Sequence, residues 1–253
     1  MLVGIDTGHE GKFDFPRRMT APERTYMIAT VPRTGSSWFG HLLWQTGCLG
    51  APLEYLNFDP AGPYSFAKSA SLQSQLWHSV LARRTSPNGV FGVKCFPGQL
   101  EALEQSNPGL LAAVMSSIVP KRSARIVHLR RRDRTAHAIS FARATISGVW
   151  RKEQEGDVTE VGFSEAAVDR ARELLVSQDA AWGKMFDELR IEPLGLWYED
   201  VLADPGAAVT QVADYLGVTL DPAATVDVPV IEKQSAADSA AWAERYAARR
   251  ANT

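Results

Sequence analysis

Thr25-Tyr26-Met27-Ile28-Ala29-Thr30-Val31, running directly into Pro32-Arg33-Thr34-Gly35-Ser36-Ser37-Trp38, decides the reading of this chain. The first seven residues are a short apolar run with Tyr, Ile and Val, which reads as a strand. A helical stretch from Ser37 to Gln45 follows and stops at Gly47. Between them lies an anion cradle. Gly35 lets the backbone turn tightly, and the amides of Gly35, Ser36 and Ser37 sit at a helix N-terminus. There the dipole and the unpaired N–H groups favour a phosphate. Arg33 adds a charged planar fork, and the two serines add hydroxyl donors. An isolated Gly-Ser-Ser would be an ordinary serine cap. The strand before it and Arg33 beside it turn the reading towards phosphate.

The cradle is not a Walker A loop, which needs GxxxxGK[ST]; no Lys precedes the serine pair here. A nucleotide triphosphatase also needs an acid at a strand end to help hold magnesium. The strand Arg125–Leu129 runs into Arg130, Arg131 and Arg132 instead. The loop reads as one that takes a 5′-phosphate without a metal.

Outward from the loop, strand and helix alternate. Residues 68–84 read as a helix, with Leu72, Leu76 and Val80 at helical spacing, and Val90–Phe96 as a strand ended by Pro97 and Gly98. A helix over 109–118, the strand at 125–129, and helices at 133–148 and 164–190 follow. Leu194–Trp197 is a further strand. Asp204 caps a helix with Pro205 at its first position and Gly217 at its end, and 236–250 closes the chain as a helix. This pattern predicts an α/β fold, a central parallel β-sheet flanked by helices in three layers. Residues 25–253 read as one domain and residues 1–24 as an irregular N-terminal arm.

Composition narrows the function. The chain has 253 residues, 45% hydrophobic and 22% charged, which excludes bulk disorder and a disulfide mini-protein. The net charge of -2 argues against a general nucleic-acid binder. It conceals a dense cationic stretch from Lys121 to Arg134, opposed only by Asp133, which suits a small anionic ligand. Residues 1–12 lack the apolar region of a signal peptide, and no apolar run is long enough to span a bilayer. Cys48 and Cys95 are far apart and read as two reduced thiols of a cytoplasmic protein. The five histidines show no ligand spacing, so no metal site is expected.

Three motifs in order carry a family resemblance. Pro32–Trp38 resembles the 5′-phosphosulfate loop, PKSGTTW, of sulfotransferases that use 3′-phosphoadenosine 5′-phosphosulfate (PAPS). Arg125-Ile126-Val127-His128-Leu129-Arg130-Arg131, with Ser140 in the next helix, resembles their 3′-phosphate element. Trp197–Pro205 with Tyr215-Leu216-Gly217 is similar to their YEDL…DP…FLG segment. The bacterial trehalose 2-sulfotransferase type is closer still. Its signatures stand here as Pro52-Leu53-Glu54-Tyr55, Asn88–Lys94, Ala138–Ala144, Gly148–Arg151, Val230–Gln234 and Trp242–Tyr246.

The resemblance, which covers about residues 25–250, implies a P-loop-like fold and metal-independent, in-line transfer of a sulfuryl group from PAPS to a hydroxyl of a carbohydrate or small metabolite. It assigns Arg33 to the bridging and leaving oxygens, and Thr34, Gly35, Ser36 and Ser37 to the 5′-phosphate. Trp38 falls to the adenine, and Arg131 with Ser140 to the 3′-phosphate. Glu54 is the implied general base, with Lys94 assisting at the sulfonate. A homodimer is the implied assembly. Within the Arg130–Arg132 run the three can exchange roles, and at least one is expected to be a solvated face. His41, His128 and His137 are rival bases, with His128 read as core. Acceptor walls are expected from 52–80 and 145–165, where Phe58, Tyr64, Phe66, Trp77 and Trp150 stand.

Two departures matter. Ala51 stands where the trehalose type commonly carries an acid, which weakens trehalose as the acceptor, and Lys233 replaces an Arg. Two other readings remain: a small-molecule kinase with a degenerate P-loop, and a non-catalytic nucleotide-binding protein.

Overall fold

A computed structural model describes residues 6–120, 124–157, 161–232 and 237–250. Lys121 and Arg122 of the cationic stretch, and Lys233–Gln234, lie outside the described residues. Four parallel strands form the sheet: β1 (Arg24–Ala29), β2 (Val90–Cys95), β3 (Ile126–Arg130) and β4 (Leu194–Trp197), in the order β2-β1-β3-β4. Met27 lies opposite Val93 of β2 and Ile126 of β3, and Leu129 opposite Leu196 of β4.

Alternation along the strands divides the core in two, because successive side chains point to opposite faces. Met27, Ala29, Phe91, Val93 and Ile126 enter the larger core. They pack with Trp77 of α2 (Ala70–Arg83), Val114 of α4 (Pro108–Ile118), Ala138 of α5 (Arg134–Ser147) and Trp182 of α6 (Glu165–Leu189). Tyr26, Ile28, Val127 and Leu196 enter the smaller core. They meet Phe39 and Leu43 of α1 (Ser36–Gln45) and Val212 and Leu216 of α8 (Pro205–Leu216). Full burial of each Val, Leu, Ile, Phe or Met among them contributes about 1.5–3 kcal/mol. The sheet is thus covered on both faces, as the strand–helix alternation predicts.

Two helices differ from the sequence reading. Pro97 and Gly98 do not merely end β2; they open α3 (Pro97–Ser106), with the Gln99 side chain accepting from the Phe96 amide at 3.1 Å. Proline is suited to the first helical turn because its missing N–H would be unpaired there anyway. Tyr198–Ala203 forms a short α7 between β4 and α8. The predicted cap is present: Asp204 accepts from the Ala207 amide at 2.9 Å, and Gly217 ends α8 at φ 64°. The last helix, α9, spans Ala237–Arg250. Cys48 and Cys95 are free and buried.

The strand order reverses direction around β1. The chain leaves β1 for β2 on one side, then crosses to β3 on the other. In open α/β sheets the crevice for ligands lies beyond the carboxyl ends at such a switch point. Here that point joins the loop after β1 to the end of β3, and Thr30 Oγ1 donates to the Leu129 carbonyl at 2.9 Å.

Candidate active site

A cleft of about 1440 Å³ opens at this switch point. Its floor is the 30–38 loop, whose carbonyls are tied down from outside and from within the loop. Trp182 Nε1 donates to the Thr30 carbonyl at 2.7 Å, Thr34 Oγ1 to Val31 at 3.0 Å, and His137 Nε2 to Pro32 at 2.7 Å. Arg131 donates to the Arg33 carbonyl at 3.4 Å. In a trans peptide the next amide faces the opposite way, so the amides of Arg33 and Thr34 are turned away from these anchors. The loop leads into the first turn of α1, whose N-cap is Gly35 at φ 77°. A Cβ on Gly35 would lie 2.4 Å from Tyr198 Cε2, so glycine is required both by the turn and by the ring above it. Arg33 also sits at positive φ, 67°. A non-glycine residue pays about 1–2 kcal/mol for that conformation.

The predicted residues sort themselves around this loop. Arg33, Gly35, Ser36, Ser37 and Trp38 line the cleft. The Thr34 side chain does not; it is fully buried and 2.6 Å from Thr30 Oγ1, so it shapes the loop from below. Arg33 Nε donates to Ser140 Oγ at 3.1 Å and its NH1 to the Trp150 carbonyl at 2.7 Å. Arg131 also lines the cleft, with its guanidinium 5.3 Å from the Tyr198 ring centroid. Its buried Nε has no hydrogen-bond partner among the described residues. Arg33, Arg131 and Ser140 therefore meet in one corner of the cleft, with Glu199 4.0 Å from Arg131 Nε.

The neighbours of Arg131 are placed elsewhere, although the buried Nε of Arg130 likewise has no hydrogen-bond partner among the described residues. Arg130 lies over Trp197, 4.2 Å from the ring centroid. Arg132 is half in solvent and makes two bonds to Asp200, at 2.5 and 2.7 Å. Neither lines the cleft.

At the other end of the loop stands Glu54. Leu53 bridges to Val93 in parallel and accepts from the Lys94 amide at 3.0 Å, which sets Glu54 beside the end of β2. Lys94 Nζ is 2.7 Å from Glu54 Oε1 and 2.7 Å from Ser37 Oγ. Asn57 and Gln99 donate to Glu54 Oε2 at 3.0 and 3.2 Å. Burial alone would raise the Glu54 pKa. The Lys94 charge and the bonds from Lys94 and Asn57 outweigh it and hold the carboxyl below its ordinary value. A carboxylate has about four lone-pair sites. Three are used, which leaves room for one hydroxyl.

The rival histidines stay out of the cleft. His41 donates to the Pro229 carbonyl at 2.8 Å, and His128 packs on Phe186, 5.1 Å between ring centroids. His137 serves the loop anchor described above. Burial pushes all three down to about 4. Of the five histidines, His9 lines the cleft. Tyr64, Phe66 and Trp150 line it as expected; Trp77 is core, and Phe58 borders a smaller adjoining cavity. Ala51 is fully buried and faces no ligand space.

Sequence reasoning missed Asn57, Gln99, Tyr198 and His9. Asn57 stands three residues after Glu54, a spacing that a turn closes. Gln99 was hidden with the unanticipated helix α3. Among the described residues no group of three or more His, Cys, Asp or Glu side chains is placed to hold a metal ion, and no helix is long and apolar enough to cross a membrane.

A parallel α/β sheet whose cleft gathers the loop after β1, an arginine-serine corner and a buried lysine-carboxylate pair is here the frame of an enzyme of the PAPS-dependent sulfotransferase class. The chain belongs to the Stf0 sulphotransferase family, whose model matches residues 25–249. It is 26% identical over 263 aligned positions to the trehalose 2-sulfotransferase of Mycobacterium tuberculosis (strain ATCC 35801 / TMC 107 / Erdman), covering 91% of this chain and 97% of that one. It is 25% identical to the trehalose 2-sulfotransferase of Mycolicibacterium smegmatis (strain ATCC 700084 / mc(2)155), covering 87% and 93%. The sulfotransferase domain of the Synechococcus PCC 7002 olefin synthase aligns with a TM-score of 0.49 at 14% identity, over 92% of this chain and 98% of that one.

Proposed function

We propose that this enzyme transfers a sulfuryl group from PAPS to a hydroxyl of a carbohydrate or another small polyhydroxylated metabolite, with Glu54 as general base. The observation that carries the reading is Lys94, bonded at 2.7 Å to both Ser37 of the phosphate loop and Glu54. One cation thereby ties the leaving-group side of the reaction to the proton acceptor.

In the reaction the acceptor oxygen forms a bond to sulfur. The bond from sulfur to the 5′-phosphate oxygen breaks, its electron pair stays on that phosphate, and the hydroxyl proton passes to Glu54. Adenosine 3′,5′-bisphosphate (PAP) and a sulfate ester result. Arg33, the α1 amides and the Ser36 and Ser37 hydroxyls stabilise the phosphosulfate and the leaving oxygen. Lys94 neutralises charge between the sulfonate and the base. Arg131 and Ser140 take the 3′-phosphate, and Trp38 the adenine. Most of the acceleration comes from positioning and fixed charge, as in phosphoryl transfer. A sulfuryl group carries less negative charge than a phosphoryl group, so these side chains suffice without a metal.

The lowered Glu54 pKa keeps the carboxylate ionised and able to accept the hydroxyl proton at neutral pH, while making it a weaker base than a carboxylate raised towards the operating pH. Ala51, buried in the core, supplies no second acid to the acceptor side, so the acceptor is left as a polyhydroxyl compound and trehalose is one member of that class. Glu54→Gln tests the base. PAP affinity should stay within about twofold of wild type while transfer falls about 10²–10⁴-fold. Unchanged turnover removes Glu54 from the role.

A further inference from the structure

Residues 7–15 lie outside the family match at 25–249, yet they form a wall of the same cleft that holds Glu54. The wall is built, not draped. Arg84, 2% exposed, donates to the carbonyls of Gly8 at 2.8 Å and Glu10 at 3.0 Å and pairs with Asp14 at 3.0 Å. A buried guanidinium is costly unless its donors are matched, and here the arm matches them. The Phe15 amide donates to the Arg83 carbonyl at 2.8 Å, and Phe15 enters the main core. Arg151 donates to the Thr7 carbonyl at 3.3 Å from the opposite side.

The tip of the arm is fixed by its own bonds. The Glu10 carboxylate folds back to accept from the Thr7 amide at 3.0 Å, the Thr7 hydroxyl at 2.7 Å and the Gly8 amide at 2.8 Å. Gly8 stands at φ 88°, and a Cβ there would meet the Trp44 ring at 2.9 Å. This closed turn presents His9. The His9 ring meets Tyr64 and Tyr55 edge-on, and Nδ1 is 3.0 Å from Tyr64 Oη. Nε2 has no partner among the described residues. His9 is also near enough to Glu54 and Lys94 to feel both charges.

We propose that the arm is the acceptor-side wall of the reaction cleft and that His9, through Nε2, hydrogen-bonds the polyhydroxyl acceptor beside Glu54, so that residues 7–14 help set acceptor specificity. The inference rests on the function proposed above. Tyr64 fixes the ring orientation and leaves the far nitrogen for substrate. Burial keeps the imidazole neutral, its pKa lowered to about 3, so it does not neutralise the base. The Glu10 carboxylate is engaged within the arm and Asp14 is paired with Arg84 and Arg83, which leaves His9 Nε2 as the arm's polar contact to the cleft.

The test uses full-length wild type, His9→Phe and His9→Gln. Phe keeps the ring contacts with Tyr55 and Tyr64; Gln keeps a donor near the position of Nε2. PAP affinity is measured by calorimetry, and transfer from labelled PAPS to trehalose, maltose and glucose gives kcat and KM. The expected result is unchanged PAP affinity in both variants. His9→Phe should raise the acceptor KM at least 10-fold, and His9→Gln should recover most of that loss. An unaltered acceptor KM in His9→Phe overturns the inference, as does an equal loss of PAP affinity, which would make the arm merely structural. Wild type that binds PAP but sulfates none of the three sugars overturns it as well. Wild type that fails to bind PAP overturns the proposed function itself.

Discussion

Lys94 Nζ stands 2.7 Å from Glu54 Oε1, with the two side chains only 3% and 18% exposed. Breaking such a pair leaves a buried charge without its partner, which costs about 3–5 kcal/mol. Lys94→Met should therefore lower the denaturation midpoint and reduce transfer while leaving enough to measure.

The same pair sets a pH dependence. The Glu54 carboxyl is held below its ordinary value of 4.5, first against burial and then by Lys94. A depressed carboxylate contributes stability that is complete above its unfolded pKa and is lost as pH falls through the lower folded value. The acid limb of kcat/KM in wild type should accordingly lie below 4.5. In Lys94→Met, burial is no longer offset by the ammonium, and the limb should move to higher pH. An acid limb that stays in place would contradict the coupling.

Arg131 and Arg132 are adjacent in sequence and differ in placement: Arg131 lines the cleft and Arg132 is exposed beside Asp200. Arg131→Ala should weaken PAP far more than adenosine 5′-phosphate, because only the former carries the second phosphate. Arg132→Ala, which removes a solvent-screened surface pair with Asp200, should change stability little and leave PAP affinity intact. Parallel titrations with both nucleotides decide this; an equal loss for both in Arg131→Ala assigns the wrong arginine.

Gly35→Ala should destabilise the fold and abolish nucleotide binding. The backbone conformation alone costs about 1–2 kcal/mol, and the new methyl would press into Tyr198. Tyr198→Ala in the same chain removes the clash but not the strain. The double variant should therefore lose less stability than the sum of the single ones, which a double-mutant cycle in urea measures.

Four histidines give a second pH signature. Burial depresses His9 to about 3 and His41, His128 and His137 to about 4, each from 6.5. The unfolded chain takes up these protons first as pH falls. Stability should be full above 6.5 and decline towards 4, by about 1.4 kcal/mol per pH unit for each group once well below 6.5. Urea denaturation at pH 7.5 and 5.5 checks this, and equal stability at the two values would show that the histidines charge freely in the fold.

The strands and the turn after β1 were legible because they depend on local pattern. β4 begins and ends where Leu194–Trp197 reads, and Asp204 and Gly217 mark α8 by cap chemistry that needs no tertiary partner. α3 was hidden because Pro97-Gly98 carries two meanings, the end of a strand and the start of a helix. Thr34 read as a ligand contact, but its hydroxyl turns under the loop to Thr30, a choice made by packing. The arm was read as irregular, and it has little regular structure; its order comes from Arg84, more than seventy residues away in sequence. The discrimination among Arg130, Arg131 and Arg132 likewise needed the aromatic and acidic partners that α7 and β4 bring to the end of β3.

The central claim is that the loop and the arginine corner together hold a nucleotide with two separate phosphates. Calorimetric titration of the wild-type protein with PAP in the presence of a chelator, and separately with ATP and magnesium, tests it most directly. PAP should bind with one site per chain without metal, and more tightly than ATP–magnesium. A preference for ATP–magnesium, or no PAP binding, would contradict the account.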